Sequence, residues 1–507
     1  MPLLQDTPET PAPPARRRRW IAAAAAALAA GLLSLPLAPG PARPADPVTG
    51  DTALAEQARE LLGDHPYTAL SVALREDGVW RTAGFGEAGG APVTPDTPFE
   101  TGSVHKTLTG MLLAELIEEG EIAAGTTLAD AFPDTHFADP DLAATTLEEL
   151  SGHQSGLPST DPSRALAGLL PLLSRGDPYA GLTAEDVIAA AAAAEVPESP
   201  GYGYSNLGVS LLGEAMARLT GTPYQRLLDE RVLGPLGMDA TVVATAPAEV
   251  PDGAAWPHDA NGVRVSPWYS AGYAPSGTST WSTGTDLTRL LDAVADGSAP
   301  GAAATEPRFP AGEGTEVGLG WHRSRIGGEE IVWHNGGTGG TRAFVGYAPA
   351  TGSAVVVTGT TTEFLDSFGM RLLGADVPAA PGSGQGPVLT AVTALLCLAG
   401  GLFLLEVGTR RLSGTRLRPA PHRAGTVSAS VSALAVLALA HSWGAWALVP
   451  PALWTLGAAL TAFGITLAAG RWPRLPLTRG HRALGPAVSG LSIAFSLTLA
   501  CLALWPR

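Results

Sequence analysis

Ser103-Val104-His105-Lys106 puts a hydroxyl and a titratable amine three residues apart, and Lys106 is the only lysine among the 31 Lys and Arg residues of this 507-residue chain. An ammonium loses its proton when desolvated, whereas a guanidinium does not, so a chain that otherwise writes its positive charge as arginine has a chemical reason to use lysine here. Three residues on a helix place both side chains on one face, one turn apart. The chemistry this suggests is a serine nucleophile with a lysine as its proton acceptor. The competing reading is a surface-helix lysine, since Ser-x-x-Lys alone is a pattern that chance produces often.

Two later stretches offer partners. Tyr202-Gly203-Tyr204-Ser205-Asn206-Leu207-Gly208 follows Pro200-Gly201 just before a helical pattern. A phenol near a cationic amine can act as a base, and an amide can hold a substrate carbonyl or orient the lysine. In Trp333-His334-Asn335-Gly336-Gly337-Thr338-Gly339-Gly340, glycines on a strand let a ligand approach the backbone and a histidine supplies a polar handle. Taken singly, the first is equally a turn with a packed aromatic and the second a Gly-rich hairpin beside a core histidine.

The elements that must position these residues follow from periodicity. Residues 51–62 (Leu54, Ala58, Leu61, Leu62) predict an amphipathic helix. Alternation over Ala69 to Arg75 and Val79 to Phe85, around Glu76-Asp77-Gly78, predicts a β-hairpin. A helix is expected to begin at or near Ser103 and to run through Leu108, Met111, Leu112, Ala114 and Leu116 towards Gly120. The serine then sits where the helix dipole and free backbone N–H groups favour developing negative charge. Residues 121–200 read as helices and turns, with further helices at about 207–219, 223–233 and 285–295. Strands at Glu330 to His334, Thr341 to Tyr347 and Ser353 to Thr358, then a helix at about 362–373, close the domain. Helices at both ends, strands just inside them and an all-helical insertion predict an α+β domain, an antiparallel sheet flanked by helices.

The net charge of −16 hides three segments, +3 over residues 1–45, −28 over 46–386 and +9 over 387–507. The acidic middle argues against nucleic acid as a partner. Both cysteines, Cys397 and Cys501, lie in the last segment, so the middle holds no disulfide or thiol nucleophile. Neither a Gly-x-Ser-x-Gly elbow nor a His-Glu-x-x-His zinc pattern occurs, and no metal or cofactor is called for. Residues 1–15 are polar and Pro-rich; Arg16 to Arg19, followed by apolar Trp20 to Leu35, read as a secretory signal cut after Ala42 or as an uncleaved anchor. Residues 46–375 form the domain and 376–386 a linker. Four apolar runs follow at about 387–407, 426–449, 451–470 and 484–505, each near the roughly 20 residues that span a bilayer. Arg410, Arg411, Arg416, Arg418 and Arg423 fill the first connection, Arg471, Arg474, Arg479 and Arg482 the third, and none the second. Positive connections stay in the cytoplasm, so the domain before the first run is expected outside it, with Trp443, Trp446, Trp454 and Trp505 at the outer face.

Ser103-x-x-Lys106, Tyr204-x-Asn206 and His334-x-Gly336 occur in the order, and at about the intervals, of the penicillin-recognising serine hydrolases. The chain resembles the class C β-lactamase and DD-peptidase group, especially its esterase-like branch, over roughly residues 51–375. Phe99 to Thr107, Glu149 to Pro158, Leu233 to Met238, Ser282-Thr283 with Asp286-Leu287, and Gly318 to Trp321 also look typical of it. The resemblance implies a β-lactamase/transpeptidase-like fold with a helical subdomain. It implies Ser103 as the acylated nucleophile, Lys106 as its activator, and Tyr204 as base for acylation and acid for the leaving group. Asn206 would orient substrate, and the N–H groups of Ser103 and Gly337 would form the oxyanion hole. His334 stands where classical β-lactamases carry lysine, which replaces a permanent charge facing a substrate carboxylate with one that titrates near neutrality. His105 stands where a small residue is commoner: pointing outward it is harmless, pointing inward it would crowd Lys106. The expected protein is a multi-pass membrane hydrolase with an extracytoplasmic domain, acting on a small-molecule or cell-wall peptide substrate. The alternative is a ligand-sensing or scaffold domain that signals through the membrane helices.

Overall fold

The computed structural model of the chain describes residues 14–43, 46–164, 167–168, 171, 174–197, 201–378, 386–409, 421–477 and 484–504. The chain divides into two compact units, one spanning 42–383 and the other joining residues 1–41 to 384–506.

The first unit is built on an antiparallel sheet in the order β1 (Val48–Gly50), β3 (Val79–Ala88), β2 (Ala69–Glu76), β13 (Ser353–Gly359), β12 (Arg342–Ala348), β11 (Glu329–Gly337), β10 (His322–Ile326), β9 (Thr315–Val317) and β8 (Phe309–Pro310). β4 (Ala91–Pro92) pairs with β3. The β2–β3 turn closes on Glu76 opposite Val79. Asp77 and Gly78 both take positive φ (50° and 76°), as the right-handed twist of a two-residue hairpin requires. Successive side chains on a strand point to opposite faces, and both faces of the central strands are apolar. Leu70, Val72, Leu74, Val355 and Val357 pack under the helices Thr52–Leu62 and Asp366–Leu372. Ala73, Val332, Val345, Ala354 and Val356 face the opposite way, onto the helices His105–Glu118 and Gly284–Asp296.

The helix His105–Glu118 is buried almost all round, from His105 through Ala114, as a central core helix must be. A 3₁₀ turn, Gly102–Val104, leads into it, so Ser103 stands on that turn and His105 is the first α-helical residue.

Three expectations are corrected. The segment between the outer strands is not all helical: β5 (Phe99–Glu100), β7 (Thr280–Ser282) and β6 (Val242–Val243) form a second small sheet. Strands of two or three residues are too short to show a period. β8 to β10 were also missed, because as short strands at the sheet edge they carry polar and proline residues that break apolar alternation. The helix expected over 223–233 is α-helical only at Tyr224–Leu228 and continues as a π turn, Asp229–Leu233.

The second unit places helices at all four C-terminal apolar runs, Gly386–Thr409, Arg423–Trp443, Ala452–Ala469 and Leu484–Leu504. The first three, with the N-terminal Arg17–Leu37, are long and apolar enough to cross a membrane; the last has a shorter described apolar stretch, Ala487–Cys501. Gly386–Thr409 and Ala452–Ala469 meet through small residues: a Cβ on Gly457 would fall 2.4 Å from the Cys397 carbonyl oxygen, and one on Gly464 2.6 Å from the Leu404 Cβ. Residues 1–13, most of the 376–386 linker, the arginines from 410 to 418, Arg479, Arg482 and Trp505 lie outside the described residues.

Gly110 lies in the central helix where an alanine Cβ would meet the Leu319 carbonyl oxygen at 2.0 Å. Alanine gains about 1 kcal/mol of helix propensity, but overpacking against backbone costs about 1–3 kcal/mol or more. Gly110→Ala is therefore expected to lower stability by about 2 kcal/mol, measured as a fall in the thermal or denaturant midpoint; an unchanged or raised midpoint contradicts the packing described.

Candidate active site

The 3₁₀ turn that carries Ser103 is wedged against the end of β11. Gly102 has φ +53°, a left-handed conformation suited to glycine, and a Cβ there would stand 2.6 Å from the Gly337 nitrogen. On the other side, a Cβ on Gly336 would stand 1.9 Å from the Thr101 carbonyl oxygen. Only two glycine-bearing backbones can approach this closely, and the contact brings the Ser103 turn to Gly337, the two expected oxyanion donors.

Lys106 is 1% exposed. Its Nζ is hydrogen-bonded to Ser103 Oγ at 2.9 Å and donates to the Ser276 carbonyl oxygen at 2.7 Å. Burial pushes the amine well below the ordinary lysine range. A carbonyl accepts from an amine in either protonation state, so this partner holds the side chain in place without pinning the proton on it. The turn that supplies it, Ala274–Ser276, is tied to the central helix by Thr109 Oγ1, which donates to the Pro275 carbonyl at 2.7 Å. His105 belongs to the same network: its Nε2 lies 2.8 Å from Tyr224 Oη, which lies 2.7 Å from Thr109 Oγ1. His105 is fully buried, so it is not the outward residue considered above, and its bond to Tyr224 commits it to a structural network. Burial first, then the Lys106 charge, pushes its pKa down to about 3.

Tyr204 reaches the same point from the loop before the helix Asn206–Thr220. Lys106 Nζ stands 4.9 Å from its ring centroid, and Ser103 lies on the hydroxyl side of the ring. The ring is 36% exposed, yet enclosure of the hydroxyl end raises the phenol above the usual tyrosine range, with the Ser103 contact opposing the rise. Ser205 caps the helix, accepting from the Gly208 N–H at 2.8 Å. Asn206 then projects its amide to Ser159 Oγ at 3.2 Å and Tyr179 Oη at 3.4 Å, with no bond to Lys106 among the described residues.

His334 is fully buried, and its Nδ1–H donates to the Asn335 carbonyl, leaving Nε2 as the unprotonated nitrogen. Its ring centroid lies 6.5 Å from that of Tyr204 and 5.1 Å from that of His322. Burial, then His322 and Lys106, holds it well below the ordinary histidine range. The turn after Gly337 is shaped by Arg342, whose Nη1 donates to the Thr338 and Thr341 carbonyls at 2.8 and 2.7 Å. Glu100 accepts from Thr338 Oγ1 at 2.7 Å and from the Trp268 N–H at 2.9 Å.

The structure thus brings Ser103, Lys106, Tyr204, His334, Gly336 and Gly337 together and sets Asn206 on the adjoining wall. Sequence reasoning missed the Ser276 carbonyl, His153, Tyr202, His322 and Glu100. Tyr202 Oη lies 2.9 Å from His322 Nε2, and His153 stands against the Tyr204 ring at 4.5 Å between centroids. His153, Tyr202 and Glu100 sit inside stretches singled out above, but a backbone carbonyl has no residue type to find it by.

The Beta-lactamase family model matches residues 54–375. An unguisins hydrolase of Aspergillus campestris is 26% identical over 361 residues, covering 65% of this chain and 64% of that protein. Penicillin-binding protein 4 of Amycolatopsis lactamdurans is 32% identical over 163 residues, 32% of this chain and 39% of that protein. The chain therefore spans less than two thirds of the length of these curated relatives. A class C β-lactamase from Rhodobacter sphaeroides superposes with TM-score 0.54 at 20% identity, over 64% of this chain and 98% of its own. A D-stereospecific amidohydrolase from Streptomyces superposes with TM-score 0.52 at 23% identity, over 61% and 94%. At these identities the structural likeness shows the fold.

Burial pushes the Glu100 carboxyl up to about 8, against the opposing bonds from Thr338 and Trp268. A raised carboxyl pKa means that the folded state binds the extra proton. This stabilisation is full below the ordinary carboxyl value and is lost as pH rises towards about 8. Glu100→Gln keeps the shape and removes the titration. Its unfolding free energy relative to that of the parent protein is expected to rise between pH 5 and pH 8 by an amount on the order of a few kcal/mol; parallel pH profiles contradict it.

Proposed function

The chain belongs to the Beta-lactamase family, and from that premise we propose that it is a membrane-anchored, extracytoplasmic serine hydrolase cleaving amide or ester bonds through an acyl-enzyme on Ser103. The observation that carries the reading is the buried Lys106 amine, 2.9 Å from Ser103 Oγ, with a carbonyl rather than a carboxylate as its second partner. An amine pushed down by burial gives up its proton more readily than an exposed lysine, which suits it to act as a base. It accepts the Ser103 hydroxyl proton as Oγ forms its bond to the substrate carbonyl carbon. The negative charge that develops on the carbonyl oxygen is met by the N–H groups of Ser103 and Gly337. Tyr204, whose raised phenol stays protonated, carries the proton from the Lys106 side to the departing nitrogen or oxygen as the carbon–leaving-group bond breaks. The pKa directions favour this relay over a resting tyrosinate base.

The substrate is best drawn as a small-molecule or cell-wall peptide amide or ester without a carboxylate placed opposite His334. That histidine is held neutral, so the site offers no permanent cation there. The names of the relatives, a hydrolase and a penicillin-binding protein among them, support this substrate class. Export of the domain is supported by the arginine-bearing connections of the C-terminal helices.

A fluorescent fluorophosphonate is expected to label the wild-type protein, and Ser103→Ala is expected to abolish labelling while melting normally. Lys106→Arg should slow labelling by about 10²–10⁴-fold, the usual worth of a general base. Labelling of the wild type should decline as pH falls through the lowered lysine pKa, because protonation removes the acceptor. Equal labelling of Ser103→Ala, or no labelling of folded wild type, refutes the proposal.

A further inference from the structure

We infer that His153 is the residue that positions Tyr204; this rests on the hydrolase reading above. Three contacts from one residue converge on one loop. The His153 carbonyl accepts from the Gly203 N–H at 2.9 Å, and its Nδ1 accepts from the Ser205 N–H at 3.3 Å. These are the two chain neighbours of Tyr204. Between them the His153 ring stands 4.5 Å from the Tyr204 ring, tilted by 40°. Backbone on both sides and ring in the middle are therefore held by the same side chain and its own peptide.

The placement of His153 is costly, which argues against ordinary core filling. Its φ is +60°, uncommon for a residue with a Cβ. The ring is 1% exposed, and because Nδ1 accepts a hydrogen bond, the proton of the neutral ring is on Nε2, which has no hydrogen-bond partner among the described residues. A buried polar nitrogen left unpaired is unfavourable, and a small apolar residue would avoid that cost. Tyr204, by contrast, is 36% exposed, so its ring has room to swing away from Ser103. Against that freedom stands His153, the nearest ring to it, with His334 further off at 6.5 Å. His153 touches neither Ser103 nor the reacting carbonyl in this reading; it acts through Tyr204.

His153→Asn tests this, because asparagine tolerates a positive φ and offers an oxygen to the Ser205 N–H while lacking the ring. With the fluorophosphonate probe on the full chain in detergent, the first-order rate constant for phosphonylation of Ser103, in which Oγ bonds to phosphorus as fluoride leaves, is expected to fall about 10- to 100-fold. The concentration giving half-maximal rate should move by less than threefold, and the melting midpoint should stay close to that of the parent. A purely structural residue would move the midpoint, or rate and affinity together. Wild-type labelling with an unchanged rate constant for His153→Asn overturns this inference alone. Failure of the wild type to label overturns the hydrolase reading and this inference with it.

The helical unit carries a second inference independently: we infer that the N-terminal helix Pro14–Ser34 is retained as a membrane helix rather than removed after export. It packs along Ala452–Ala469. Ala23 is fully buried, the Trp20 and Phe463 rings are 5.7 Å apart, and a Cβ on Gly31 would stand 3.6 Å from the Ala459 Cβ. The Arg19 side chain covers Gly470, beside Arg471 and Arg474, while at the opposite end the Leu37 carbonyl accepts from His441 Nε2 at 3.0 Å. Its basic end thus shares a side with the arginine-bearing connection, the orientation a retained first helix needs.

Intact mass and N-terminal sequencing of protein extracted from membranes should find residues 16–42 present. Gly31→Cys with Ala459→Cys, in a Cys397→Ala and Cys501→Ala background, should form a disulfide, since the Cβ spacing matches the usual range of about 3.5–4.5 Å. Leu33→Cys, at a position 73% exposed, paired with the same partner should not. A mature chain beginning at Arg43, or equal cross-linking of both pairs, overturns the assignment.

Discussion

A charged lysine side chain taken out of water without a countercharge costs on the order of several kcal/mol, and the way out is to lose the proton. Lys106 is 1% exposed, with a serine hydroxyl and a backbone carbonyl as partners, and no ion pair to it occurs among the described residues. The rest of the first unit holds that desolvated amine against the Ser103 hydroxyl. An arginine in its place would stay charged, and an exposed lysine would stay protonated; the proposed chemistry depends on burial of this one side chain.

Burial of that kind needs rigid surroundings. The central helix is enclosed on nearly every side, and the turn that offers the Ser276 carbonyl is bound to it through the chain of hydroxyls from His105 to Tyr224 to Thr109. On the other flank Gly102 and Gly336 let the Ser103 turn and β11 approach backbone to backbone. The same sheet continues through β12 and β13 into the β2–β3 hairpin, so the Gly336–Gly337 end of β11 is tied to strands with buried apolar faces.

The electrostatics of the cleft are unusual in being carried by neutral rings. His153, His322 and His334 surround the tyrosine loop, and burial holds each of them below the ordinary histidine range. Glu100, a buried acid that accepts from Thr338 just beyond Gly337, is pushed towards its neutral form by the same desolvation.

Much of this was legible in the chain itself. The lone lysine, its spacing from Ser103, the Tyr204 and His334 stretches, the β2–β3 hairpin, the central helix and the four C-terminal apolar runs were all fixed by residue types and local periods, which need no tertiary information. The short strands β5 to β10 were not legible, because two or three residues make no period and edge positions mix polar with apolar side chains. Nor could the chain by itself say which way His105 turns, that the second partner of Lys106 is the carbonyl of Ser276 170 residues away, or that His153 sits beneath Tyr204. Those are contacts between backbone groups and rings distant in sequence. A carbonyl is the same at every residue, and only folding decides which one faces the amine.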